Sequence, residues 1–77
     1  MKLTRAQRRI LGIMHEQSQS IQTVGDASTV WDRKRGPTRV NAVTLALLKR
    51  QKLIRKARTY SSGTAYVLTR AGEGALL

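Results

Sequence analysis

No cysteine occurs in the 77 residues of this chain, so neither a disulfide nor a cysteine-ligated zinc can hold it together. Its fold has to rest on a hydrophobic core. That core has to be aliphatic, because the aromatic residues are Trp31, Tyr60 and Tyr66 and there is no phenylalanine. Hydrophobic residues make up 40% of the sequence, enough for one small core and too many for a disordered chain. A chain this short buries only ~60% of its unfolded surface, so a ligand or a second copy would add useful stability. The length allows a single domain over 1–77, with no internal repeat and no low-complexity tract.

Fifteen Lys and Arg stand against four Asp and Glu, a formal net charge of +11. Such an excess points to a polyanionic partner, most simply nucleic acid, with an anionic membrane surface as the weaker alternative. No apolar run approaches the ~20 residues of a membrane span. Met1-Lys2-Leu3-Thr4 opens the chain without a signal-peptide apolar core, so the expectation is a cytoplasmic protein with no membrane role. The inventory also argues against an enzyme. His15 is the lone imidazole, the acids are scattered, and Gly72 and Gly74 are too isolated to cradle a phosphate. No metal and no cofactor is expected.

Residues 4–17 predict an amphipathic helix. Thr4 and Gln7 match a capping box. Ala6, Ile10, Leu11, Ile13 and Met14 share one side, and Arg5, Arg8, Arg9, His15 and Glu16 the other. Residues 18–37 read as a short hairpin or irregular excursion, because Ile21–Val24 and Ser28–Trp31 are β-branched and alternating around Gly25-Asp26. A short helix over 27–33 is the competing reading. Residues 38–51 predict a second helix with Thr38 as N-cap, an apolar arc of Val40, Val43, Thr44, Leu45, Leu47 and Leu48, and an acid-free arc of Arg39, Ala42, Ala46, Lys49 and Arg50. A strand over 53–60, a turn at Ser61–Thr64 with Gly63 free to take positive φ, and a returning strand over 65–68 follow. Thr69 can cap a last helical turn.

Leu45-Ala46-Leu47-Leu48-Lys49-Arg50-Gln51-Lys52-Leu53-Ile54-Arg55 resembles the end of the recognition helix and the exit into the wing of MarR- and PadR-type winged-helix regulators. Lys52 stands where those families usually have Gly. Tyr66-Val67-Leu68-Thr69-Arg70-Ala71-Gly72 resembles the Tyr-x-Leu-Thr-x-x-Gly that closes their wing. The resemblance implies an α+β winged-helix domain: helix, irregular segment or short hairpin, recognition helix, β-hairpin wing, short C-terminal helix. It covers 38–77 well, 3–17 moderately and 18–37 poorly.

The function so implied is binding of double-stranded DNA by a small transcriptional or phage-type regulator, as a monomer or a homodimer. Arg39, Asn41, Lys49 and Arg50 on the 38–51 helix would enter the major groove, with Asn suited to adenine. Arg55, Lys56 and Arg58 would hold the wing on phosphates. Blander readings stand beside these. Lys49 and Arg50 can be a solvated helix face, and the wing cations can simply protect an edge strand. Trp31 reads as a core or interface anchor ahead of a base-stacking platform. Tyr60 can stack on a base or pair across strands with Tyr66. The rival from another class is a protein-binding module on the same scaffold, such as a phage-encoded inhibitor of a host nucleic-acid-processing complex. An RNA- or ribosome-associated protein is a third reading.

Overall fold

The computed structural model describes residues 3–76. The elements run α1 (Arg5–Gln17), β1 (Ile21–Val24), β2 (Ala27–Asp32), β3 (Gly36–Arg39), α2 (Ala42–Arg50), β4 (Ile54–Tyr60), β5 (Gly63–Leu68) and α3 (Arg70–Ala75). All five strands form one antiparallel sheet in the order β3-β2-β1-β5-β4. This is α+β, but it is not a winged helix. The segment that would carry a second helix forms strands instead: it is rich in β-branched residues (Ile21, Thr23, Val24, Thr29, Val30), which favour a pleated backbone, and its burial alternates along β2. The hairpin expected over 53–68 is present, yet it is no free wing. Its strand β5 pairs with β1, Ile21 opposite Tyr66 and Gln22 opposite Ala65, and this fuses the two halves of the chain into one sheet.

Residues 18–37 exceed the short hairpin expected there: β1 and β2 form it, β3 begins at Gly36 as a third strand paired with β2, and the competing helix over 27–33 does not form. Val24 pairs with Ala27 around Gly25-Asp26, and Gly25 supplies the positive φ of 61° that a tight hairpin turn demands. The next turn, Arg33-Lys34-Arg35, is closed by the Arg35 amide on the Asp32 carbonyl (3.2 Å) and is followed by Gly36 at φ 78°. The Asp32 carboxylate braces this turn. It accepts from the Lys34 amide (3.0 Å) and from Gln17 Nε2 (3.1 Å), while Gln17 Oε1 accepts from the Arg33 amide (2.7 Å). The bond from Gln17 and then that from Lys34 hold the Asp32 carboxyl below its ordinary value.

α1 forms as expected. Thr4 Oγ1 accepts from the Gln7 amide (3.1 Å) and Gln7 Oε1 accepts from the Thr4 amide (2.9 Å). Gln7 is also buried, and its Nε2 donates to Gln51 Oε1 (2.8 Å), tying the start of α1 to the end of α2. α2 starts later than expected. Pro37, Thr38 and Arg39 belong to β3, an edge strand where proline's missing N–H breaks no ladder bond. Asn41, not Thr38, caps α2, its Oδ1 accepting from the Val43 amide (2.8 Å). The later start also leaves Val43 68% exposed, outside the apolar arc assigned to it.

α2 ends in a Schellman motif. The Leu53 amide donates to the Leu48 carbonyl (3.0 Å) and the Lys52 amide to the Lys49 carbonyl (3.1 Å), with Lys52 left-handed at φ 58°. The lysine that departs from the winged-helix pattern therefore sits in the position glycine favours. Lys52→Gly is expected to stabilise the protein by up to ~1 kcal/mol, since it relieves the steric cost of the left-handed region, less glycine's greater freedom in the unfolded chain. A urea midpoint unchanged or lowered by Lys52→Gly contradicts this.

The Tyr-x-Leu-Thr-x-x-Gly block has a local role here. Thr69 Oγ1 accepts from the Gly72 amide (3.0 Å) and donates to the Lys52 carbonyl (2.7 Å), while the Thr69 amide donates to the Leu53 carbonyl (3.0 Å). The block thus fastens the start of α3 to the end of α2. A Cβ at Gly72 would run into the Leu53 carbonyl.

The core is one cluster. Ile10, Leu11, Ile13 and Met14 of α1 meet Ile21, Val30, Ile54 and Tyr66 of the sheet, with Leu48, Leu53 and Val40 closing the α2 side. Ala6, placed in the apolar arc by projection, is exposed. All three helices pack on the sheet face that carries Ile21, Val30 and Tyr66. Among the described residues no helix is long and apolar enough to cross a membrane.

Candidate nucleic-acid interface

Packing every helix on one face leaves the other face of the sheet bare. Side chains alternate between the faces, so residues paired across strands share a side. Arg39 lies opposite Thr29, Thr29 opposite Gln22, Gln22 opposite Ala65, and Ala65 opposite Arg58. These residues form a row across all five strands on the helix-free face, with an arginine at each end and small or neutral side chains between. At ~4.8 Å per strand spacing the two arginine backbones stand about 19 Å apart. Arg55 pairs with Val67 on the same face.

A β-bulge produces this arrangement. The register of β4 against β5 shifts between Lys56 and Arg58, so Ala57 is an extra residue. In a regular strand Arg55 and Arg58 would point to opposite faces. The bulge turns Arg58 onto the face of Arg55, and it also blunts the exposed edge strand.

The bare face carries aromatics as well. Trp31 pairs with Pro37 and is 54% exposed. Tyr60, at the end of β4, is 46% exposed, with the Arg58 guanidinium 5.8 Å from its ring centroid. Trp31 is therefore not a core anchor. Tyr60 lies opposite Gly63 while Tyr66 faces the helices, so the pair of tyrosines does not form. β2 sets Ala27, Thr29 and Trp31 outward and Ser28, Val30 and Asp32 inward, and its own composition gives no signal of this, since the outward set carries the tryptophan. None of the four acids falls in these rows: Asp32 faces the helices, Glu16 and Glu73 are helical, and Asp26 sits in the β1–β2 turn at the rim, sharing a shallow cleft with Arg39.

The remaining expected contacts lie elsewhere. Lys56 pairs with Tyr66 and so points to the helix side of β4. Lys49 Nζ lies 5.3 Å from the centroid of the Tyr66 ring, on that same side. Arg50 is exposed in the last turn of α2. Asn41 is committed through Oδ1 to its cap, so a bidentate grip on adenine would uncap α2. The expected set therefore divides into two surfaces, back to back: Arg39, Arg55 and Arg58 on the bare sheet face, and Lys49, Lys56 and Arg50 on the helix side. Comparison with protein-family models, curated proteins and solved structures gives no match.

Proposed function

We propose that this chain is a nucleic-acid-binding protein that holds the phosphate backbone on the helix-free face of its sheet, through Arg39, Arg55 and Arg58. The observation that carries this reading is the cross-strand row with arginine at both ends and no acid within it. Guanidinium groups suit phosphate oxygens because they donate in a planar fork. The net charge of +11 adds long-range attraction. Insertion of α2 into a major groove is not part of the reading, since it belongs to a winged-helix arrangement that the chain does not have.

The test is salt dependence. Each arginine–phosphate pairing removed should flatten the slope of log affinity against log salt by roughly 0.7–0.9. The pair Arg39→Gln with Arg58→Gln should weaken binding and flatten the slope, with circular dichroism unchanged because both side chains are exposed. The pair Lys49→Ala with Arg50→Ala, on the other surface, should change it much less. The opposite ranking would move the interface to the helix side. One observation favours a protein partner as a second reading: Val43 is 68% exposed on α2, between exposed Ala42 and Ala46. Loss of partner capture with Val43→Asp, at unchanged nucleic-acid affinity, would support it.

A further inference from the structure

We infer that the bare sheet face takes a single strand of nucleic acid, with unpaired bases stacked on Trp31 and Tyr60 and phosphates on Arg39, Arg55 and Arg58. This rests on the reading just given and narrows it from any polyanion to one with free base faces. The width of the face is the first reason. A duplex major groove is about 12 Å wide and admits a helix or a two-stranded ribbon. The row from Arg39 to Arg58 spans about 19 Å across five strands, so the face as a whole cannot enter a groove. Against the outside of a duplex it would meet only phosphates, and its aromatic rings would find no base, because paired bases stack inward.

The placement of the two aromatics is the second reason. Trp31 and Tyr60 lie on opposite sides of the arginine row, three strand spacings and four residue rises apart, about 20 Å on the diagonal. Each exposed ring presents a flat π surface on which an unpaired base can stack. Between the rings the floor is uncharged: Thr29, Gln22 and Ala65 fill the middle of the row. A flexible strand can cross such a floor, lay one base on each ring and keep its phosphates beside the arginines. Base–aromatic stacking tolerates any sequence, since every base has a π face. The Arg58 guanidinium near the Tyr60 ring can flank a stacked base there with its charge. The selecting chemistry, phosphates and unpaired bases, is shared by DNA and RNA single strands.

The experiment uses the full chain and three labelled probes: a 12-mer of deoxythymidylate, the same length of uridylate, and a 12-base-pair duplex. Anisotropy is followed at low and moderate salt. Trp31 is the one tryptophan, so its fluorescence reports directly on stacking. Single strands should bind at least about tenfold more tightly than duplex and should quench Trp31. Trp31→Ala should cost about tenfold in single-strand affinity and leave duplex affinity unchanged, since one base loses its stacking partner. Trp31→Phe should recover most of that affinity. Equal affinity for duplex and single strand, without quenching and without an effect of Trp31→Ala, would overturn the inference while leaving nucleic-acid binding in place. No binding to any probe at low salt would overturn the broader reading itself. Preference between the thymidylate and uridylate probes would show which sugar the surface favours.

Discussion

Leu48→Ala is expected to destabilise the protein by ~2–5 kcal/mol, a large part of what a chain of this length has. Leu48 is 0% exposed and sits in the central cluster. It is also the residue whose carbonyl receives the Leu53 amide at the end of α2, and Leu53 is itself buried. Truncation removes apolar burial and leaves a cavity beneath the junction of α2 with the sheet. In thermal melts followed by circular dichroism, the midpoint should fall by about 10 °C or more. Val43→Ala, on the same helix but exposed, should stay within ~0.5 kcal/mol. If the two substitutions have equal effects, or Val43→Ala has the larger, then α2 is rotated relative to the arrangement described.

Gly63→Ala should be at least as damaging, for a different reason. Gly63 begins β5 where that strand meets β1, and a Cβ there would be driven into the carbonyl group of Thr23. That obstacle is backbone, so no rotamer change can relieve it. The strands would have to separate at the seam that joins the two hairpins. A cost of about 3 kcal/mol or more is expected, at the upper end of what overpacking produces. Gly12→Ala supplies the control. Nothing lies within 4 Å of a Cβ at Gly12, which is inside α1, so the change should stabilise by ~1 kcal/mol through helix propensity alone. Opposite signs for two Gly→Ala changes would confirm the close approach; a neutral Gly63→Ala would contradict the β1–β5 seam. The sequence places Gly63 in a turn, where positive φ would be its use. The turn is Ser61-Ser62 instead, and Gly63 is a strand residue that must lack a side chain.

Several features of the chain are determined by the sequence alone, because they depend on neighbours a few residues away. Thr4 and Gln7 are spaced for a capping box, so the start of α1 is legible from four letters. Thr69 caps α3 for a similar reason. The 53–68 hairpin follows from two β-prone runs around a polar turn, and the +11 charge needs only counting. The tertiary structure alone decides what those pieces make. The pairing of Ile21 with Tyr66 joins segments far apart in sequence, and no local preference encodes it. Without that pairing, the hairpin and the helix before it look like a wing and a recognition helix. With it, they are half of a continuous sheet. Sidedness is decided at the same level. One extra residue at Ala57 turns Arg58 onto the face of Arg55, and a strand period of two makes every such shift a change of face. Trp31 is exposed because all three helices pack on the opposite side, a choice made by the pooled apolar area of Ile21, Val30, Ile54 and Tyr66 rather than by anything adjacent to Trp31.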